Sequence, residues 1–117
     1  MENHGMDDPV AMYMHELSTI EPLTKDEETT LFEELRKTIG KEQRESIERR
    51  WIESQLPLVV GIAEKHIASG LPMLELIQEG NLGLMQSVRS FAEKPTGDFP
   101  TFAVTYIEDA ITQAYRK

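Results

Sequence analysis

Apolar residues recur along most of this chain at intervals of three and four, the spacing that gathers side chains onto one face of an α-helix. The period is cleanest from about Met73 to Ala92. There Leu74, Ile77, Leu84, Val88 and Phe91 share one side, and Glu75, Gln78, Glu79, Leu82 and Gln86 fall almost opposite, with Asn81 and Met85 on the border. Such a helix builds core with one face and leaves a polar ridge free to meet a partner. Gly80 and Gly83 interrupt the pattern, and each costs about 1 kcal/mol relative to alanine inside a helix. Their expected use is to let another backbone approach closely.

The same reasoning places the other elements. Asp8 is a good N-cap and Pro9 suits a first helical position, so a short helix is expected from Pro9 to about Leu17, with Val10, Tyr13, Met14 and Leu17 on one side. Thr24 and Glu27 have the spacing of a capping box, and Leu31, Phe32, Leu35 and Ile39 form the stripe that follows, with Gly40 as its stop. From Lys41 a long helix carries Ile47, Trp51, Leu58 and Ile62 inward, with Pro57 expected to kink or split it; Ala68-Ser69-Gly70 closes the unit. A turn over Glu93 to Asp98 precedes a last helix from about Pro100, with Ala103, Ile107, Ala110 and Ala114 on its inner side. Trp51, Leu58, Ile62, Leu74, Ile77, Leu84, Val88, Ile107 and Ile111 are expected to form one core. No strand pattern, internal repeat or low-complexity tract stands out, so the fold class is all-α, a compact multi-helix bundle.

A length of 117 residues with 39% apolar content suits one core and not two. The chain has no cysteine, which excludes disulfides and thiolate chemistry and fits a reducing, cytoplasmic setting. The first eight residues are polar and acidic, unlike a signal peptide, and the most apolar run, Leu56 to Ala63, is too short to span a bilayer. Charge alters the picture further. With 21 acids against 12 bases and a net charge of -9, unaided nonspecific DNA binding is not expected, because such binding depends on cations that displace phosphate counterions.

No catalytic or metal constellation emerges. His4, His15 and His66 lie in separate elements without ligand spacing, and the paired carboxylates, such as Glu33/Glu34 and Glu108/Asp109, read as solvated helix surface. Gly80-Asn81-Leu82-Gly83 matches the GxxG loop of KH modules in form, but it sits in a helical pattern without basic neighbours. Neither an enzymatic role nor a cofactor is expected.

Leu71-Pro72-Met73-Leu74-Glu75-Leu76-Ile77-Gln78-Glu79-Gly80-Asn81-Leu82-Gly83-Leu84-Met85 closely resembles the core-polymerase-binding segment of bacterial RNA polymerase sigma factors of the primary, housekeeping type. The resemblance extends to Asp8-Pro9-Val10-Ala11-Met12-Tyr13, Pro22-Leu23-Thr24-Lys25-Asp26-Glu27-Glu28, Leu56-Pro57-Leu58-Val59-Val60 and Phe99-Pro100-Thr101-Phe102-Ala103. It implies the family's conserved second region preceded by short first-region helices, with residues 1–7 a flexible N-terminus and 8–117 a single helical domain. It also implies a partner, the clamp helices of the polymerase beta-prime subunit, contacted by Glu75, Gln78, Glu79, Asn81 and Met85. Carboxylates and amides on a rigid helix suit arginine forks on such a partner.

By the same resemblance, the last helix corresponds to the segment that captures the promoter minus-ten element as a single strand within the holoenzyme, assigning that contact to Phe102, Thr105, Tyr106, Asp109 and Thr112. Aromatic platforms and cations are the usual equipment for this task. Here the chemistry departs from the family: Thr105 stands for a tryptophan, Glu108 for an arginine and Asp109 for a glutamine. Ionised acids repel phosphate and donate no hydrogen bonds. Phe102 and Tyr106 fit equally well as a DNA-stacking face or as packing against a neighbouring helix. Two functions follow: a sigma-like initiation factor, or an acidic sigma mimic that binds core polymerase or an anti-sigma protein without melting promoter DNA. Both a fragment of a longer factor and a minimal, divergent one are compatible with the pattern.

Overall fold

A computed structural model describes residues 8–37, 40–95 and 97–116. Among them run five α-helices and one short 3-10 turn: α1 (Pro9–Ser18), α2 (Lys25–Lys37), α3 (Lys41–Glu64), the turn Ile67–Ser69, α4 (Met73–Glu93) and α5 (Phe99–Tyr115). The described residues contain no strand, so the fold is all-α.

Local chemistry sets the helix starts. The Val10 amide donates to Asp8 Oδ1 at 2.9 Å, with Pro9 in the first turn. At α2 the capping box closes in both directions: Glu27 N–H donates to Thr24 Oγ1 at 3.1 Å, and Thr24 N–H donates to Glu27 Oε1 at 2.9 Å. At α5 the Asp98 carboxylate accepts from the Thr101 amide at 3.2 Å, and Pro100 occupies the first turn. Each cap satisfies amides that have no partner inside the helix.

Of the kink or split expected at Pro57, the split does not occur: α3 runs through the proline as one helix. Proline withdraws the N–H that would bond the Glu53 carbonyl; both residues are exposed, so water can meet that carbonyl. The turn after α3 closes at Gly70, whose φ of 94° is left-handed and favours glycine.

The fold is organised around α4, which packs along α5 on one side and α3 on another, while α2 lies across α3 and α4 and α1 touches α4. Trp51, Ile62, Ile77, Leu84, Val88, Ile107 and Ile111 are all buried, as the periodicity predicts. Leu58 and Leu74 are only partly buried and pack against the core's edge. Val59, Val60, Leu76, Phe99 and Ala103 join the core as well. In α2, Leu35 is fully buried, whereas Leu31 and Phe32 flank the core; Ile39 lies outside the described residues. Met14, expected to face inward, is 41% exposed, because α1 meets the bundle through Tyr13 and Leu17 instead.

An aromatic chain crosses this core. Trp51 meets Phe99 edge-on at 5.3 Å, Phe99 meets Phe91 at 5.2 Å, and Phe91 meets Phe102 at 5.2 Å. Phe32 caps the same cluster, 4.9 Å from Phe91 and 5.6 Å from Trp51. The centroid separations are those of favourable tilted and edge-to-face pairs. Polar groups tie the elements further: the Gln55 amide donates to Glu28 at 3.0 Å, and buried Glu48 lies between Arg44 at 3.8 Å and Arg89 at 3.9 Å.

The two glycines inside α4 mark the closest approach. A Cβ on Gly83 would sit 2.5 Å from the Tyr106 carbonyl oxygen and 3.0 Å from the Ala110 Cβ; one on Gly80 would sit 2.7 Å from Val59 Cγ1. At Gly83 the obstacle is backbone, which cannot rotate aside. Gly83→Ala is therefore expected to lower the unfolding midpoint clearly, whereas Gly61→Ala, where a Cβ meets nothing within 4 Å, should be neutral or stabilise by up to about 1 kcal/mol. Leu84→Ala, at a side chain with 0% exposure, should cost about 2–5 kcal/mol in chemical denaturation.

Candidate functional site

With Leu76, Ile77, Gly80, Gly83, Leu84, Ser87 and Val88 fixed in the core, the opposite side of α4 has its orientation set by packing. Glu75, Gln78 and Gln86 are exposed, Glu79 is half-buried, and Leu82 leaves 55% of its surface to solvent between them. The ridge foreseen from periodicity is thus present and held rigidly. Its border residues behave differently. Asn81 is half-buried, and its Nδ2 donates to the Tyr13 hydroxyl of α1 at 3.4 Å. Its Oδ1 is buried and accepts no hydrogen bond. Met85 is also half-buried. Of the five residues expected at a polymerase contact, Glu75, Gln78 and Glu79 form one accessible set, and Asn81 is engaged by α1.

On α5, Thr105 and Asp109 are exposed, while Phe102, Tyr106 and Thr112 are half-buried. Phe102 is shared between two roles. Its ring packs on Phe91, within the core cluster, and lies 5.1 Å from the ring of Tyr106. The two helices meet in an open groove lined by Glu79, Leu82 and Gln86 from α4 and by Tyr106, Asp109 and Gln113 from α5. Residues assigned from sequence to two different partners therefore border one depression. None of its lining residues is basic, and two are carboxylates.

Glu108 is the acid whose position departs most from expectation. Its Oε1 lies 2.6 Å from His66 Nε2, and His66 Nδ1 lies 2.9 Å from the Tyr115 hydroxyl. The carboxylate is turned to His66, at the start of the α3–α4 connection. This cluster escaped the sequence reading because His66 and Glu108 are 42 positions apart, a separation with no periodic signature. Arg89, one of four bases after residue 88, lies 3.9 Å from Glu48 while its side chain stays largely exposed. Among the described residues, no group of three or more histidine, cysteine or acidic side chains could hold a metal ion, and no helix is long and apolar enough to cross a membrane.

The sequence that builds this fold, with its polar ridge on a core-anchored α4 and an aromatic-bearing α5, matches a known protein family. The family model for sigma-70 region 2 matches residues 51–117, and the chain belongs to that family. It is 40% identical over 112 residues to the RNA polymerase sigma factor SigA of Lactococcus lactis subsp. cremoris, covering 96% of this chain and 30% of that protein. SigA of Clostridium acetobutylicum is 38% identical over 113 residues, covering 97% and 29%. SigA of Listeria monocytogenes is 39% identical over 111 residues, covering 93% and 28%. The chain thus spans a little under a third of the length of these relatives.

The double position of Phe102 can be resolved by stability. Phe102→Ala should destabilise the fold within the range of about 0.5–3 kcal/mol typical of lost packing, whereas Thr105→Ala, at an exposed site, should stay within about 0.5 kcal/mol. Urea unfolding of the two variants measures both.

Proposed function

We propose that this chain binds core RNA polymerase and acts in promoter-dependent transcription initiation, with residues 8–117 working as one domain. The observation that carries the reading is the row of exposed Glu75 and Gln78 and half-buried Glu79 on a helix whose other face is locked into the core, in a chain of the sigma-70 region 2 family. A pre-ordered row of acceptors avoids the cost of fixing side chains at the moment of binding. The partner surface is the arginine-bearing clamp helices of the beta-prime subunit, met bidentately by the carboxylates, with Leu82 supplying apolar contact at the centre of the ridge. Asn81 and Met85 support the same surface from its border. The setting is the cytoplasm, and the role is that of a binding factor without catalysis of its own.

Phe102, Thr105, Tyr106, Asp109 and Thr112 form the side of α5 that faces nucleic acid in this reading, as a single strand and only in the polymerase complex. One observation favours the second reading, a mimic that occupies polymerase or captures an anti-sigma protein without opening DNA: α5 contains no lysine or arginine from Phe99 to Tyr115. Phosphate capture would then rest on groups outside this helix.

Two measurements test these readings. In pull-downs with purified beta-prime clamp helices, Glu79→Lys should weaken binding by about 2 kcal/mol or more, as expected when a buried charge-assisted contact is reversed; undiminished binding by the folded variant removes the interface. With core polymerase added, a minus-ten-type single strand should bind in a manner dependent on Phe102 and Tyr106, each stacked base being worth about 1–3 kcal/mol. A complex that forms, displaces an authentic sigma factor and leaves the strand unbound establishes the mimic.

A further inference from the structure

The exchange of an acid for the family's arginine at position 108 has a partner within this chain. The His66 imidazole is 13% exposed and the Glu108 side chain 35%, and they meet at 2.6 Å. Glu108 and Tyr115 stand two helical turns apart on the same side of α5, and the ring of His66 engages both, its centroid 5.7 Å from that of Tyr115.

The chemistry of the three groups fixes most of their proton positions. An ionised carboxylate only accepts, so Nε2 carries the hydrogen that bonds Glu108. A tyrosine hydroxyl both donates and accepts. When the ring is neutral, Nδ1 accepts from Tyr115; when it is protonated, Nδ1 donates and the hydroxyl turns. The bond to Glu108 is made in either state. Glu108 lies about 100° round the helix from Asp109 and about 40° beyond Thr112, at the edge of the Phe102, Thr105, Tyr106, Asp109 and Thr112 side, and the bond to His66 holds its carboxylate away from Asp109.

We propose that His66 is a positioning residue for the nucleic-acid side of α5: it holds the Glu108 carboxylate against the α3–α4 connection and anchors the end of the helix through Tyr115. The charge reversal at 108 therefore adds little repulsion toward a bound strand, and Asp109 is the acid that opposes it. This second clause rests on the reading of α5 given above; the His66 cluster itself does not.

Two experiments test the parts separately. In the free protein, nitrogen-resolved NMR of the imidazoles should find His66 fixed with hydrogen on Nε2, whereas exposed His15 should exchange freely between tautomers. Glu108→Gln and Tyr115→Phe, both close to isosteric, should each move the His66 ring signals and leave those of His15 in place. A His66 ring that averages its tautomers as His15 does overturns the proposal.

The second experiment uses core polymerase and a minus-ten-type single strand. Asp109→Asn should raise strand affinity several-fold, while Glu108→Gln should change it by less than about twofold, the like-charge repulsion coming from the acid that faces phosphate. Equal gains from the two variants overturn the proposal, since Glu108 would then face the strand. No strand binding by any form in an intact polymerase complex overturns the nucleic-acid clause and the α5 reading together, and the NMR result still decides the His66 cluster.

Discussion

The contact between α4 and α5 governs the rest of the structure. At Gly83 the two backbones come so close that a single methyl group would collide with the Tyr106 carbonyl. A helix tolerates two glycines within four residues only if tertiary contact returns more than the lost propensity. Here the return is a seam in which Leu84, Ile107 and Ile111 are fully buried. That seam sets the roll of α4 about its axis. The roll in turn decides which side chains are core and which form the ridge, so the ridge of Glu75, Gln78 and Glu79 is a consequence of packing on the other side of the helix.

Much of this was legible in the residues because strong local rules agreed with the global fold. The capping box at Thr24 and Glu27, the Asp8 cap and the glycine pair each announce a specific geometry, and each is found. The failures have physical causes. Of the two outcomes open at Pro57, a kink or a split, the split fails because a proline on the solvent side leaves its orphaned carbonyl to water and the helix continues. Met14 fell on the apolar stripe of α1, yet a helix of 10 residues meeting the bundle along a short stretch cannot bury its whole face. Leu76, which is fully buried, was overlooked beside Ile77 because the buried arc of α4 is wider than one narrow stripe: this helix has neighbours on more than one side.

The functional surface was legible in part. Exposure of the ridge followed from periodicity, but the engagement of Asn81 by Tyr13 and of Glu108 by His66 depends on pairs 68 and 42 positions apart. Side-chain partners that distant leave no mark in a single sequence. Charge counts mislead for the same reason. A tally after residue 88 balances four bases against four acids, but Arg89 is turned to Glu48 and Glu108 to His66, so the field at the surface differs from the sum of the formal charges. Position relative to the seam, more than number, determines what an approaching polymer meets.

The aromatic cluster has an optical consequence. Trp51 is the only tryptophan in the chain, is 3% exposed, and stacks edge-on against Phe99 at the first turn of α5. Its emission therefore reports from the interior, where α2, α3, α4 and α5 converge through Phe32, Phe91 and Phe99. A ligand settling on the outer ridge would leave that fluorescence unchanged unless the helices themselves shifted. The protein thus carries a built-in probe that distinguishes a partner merely docking on its surface from one that rearranges its frame.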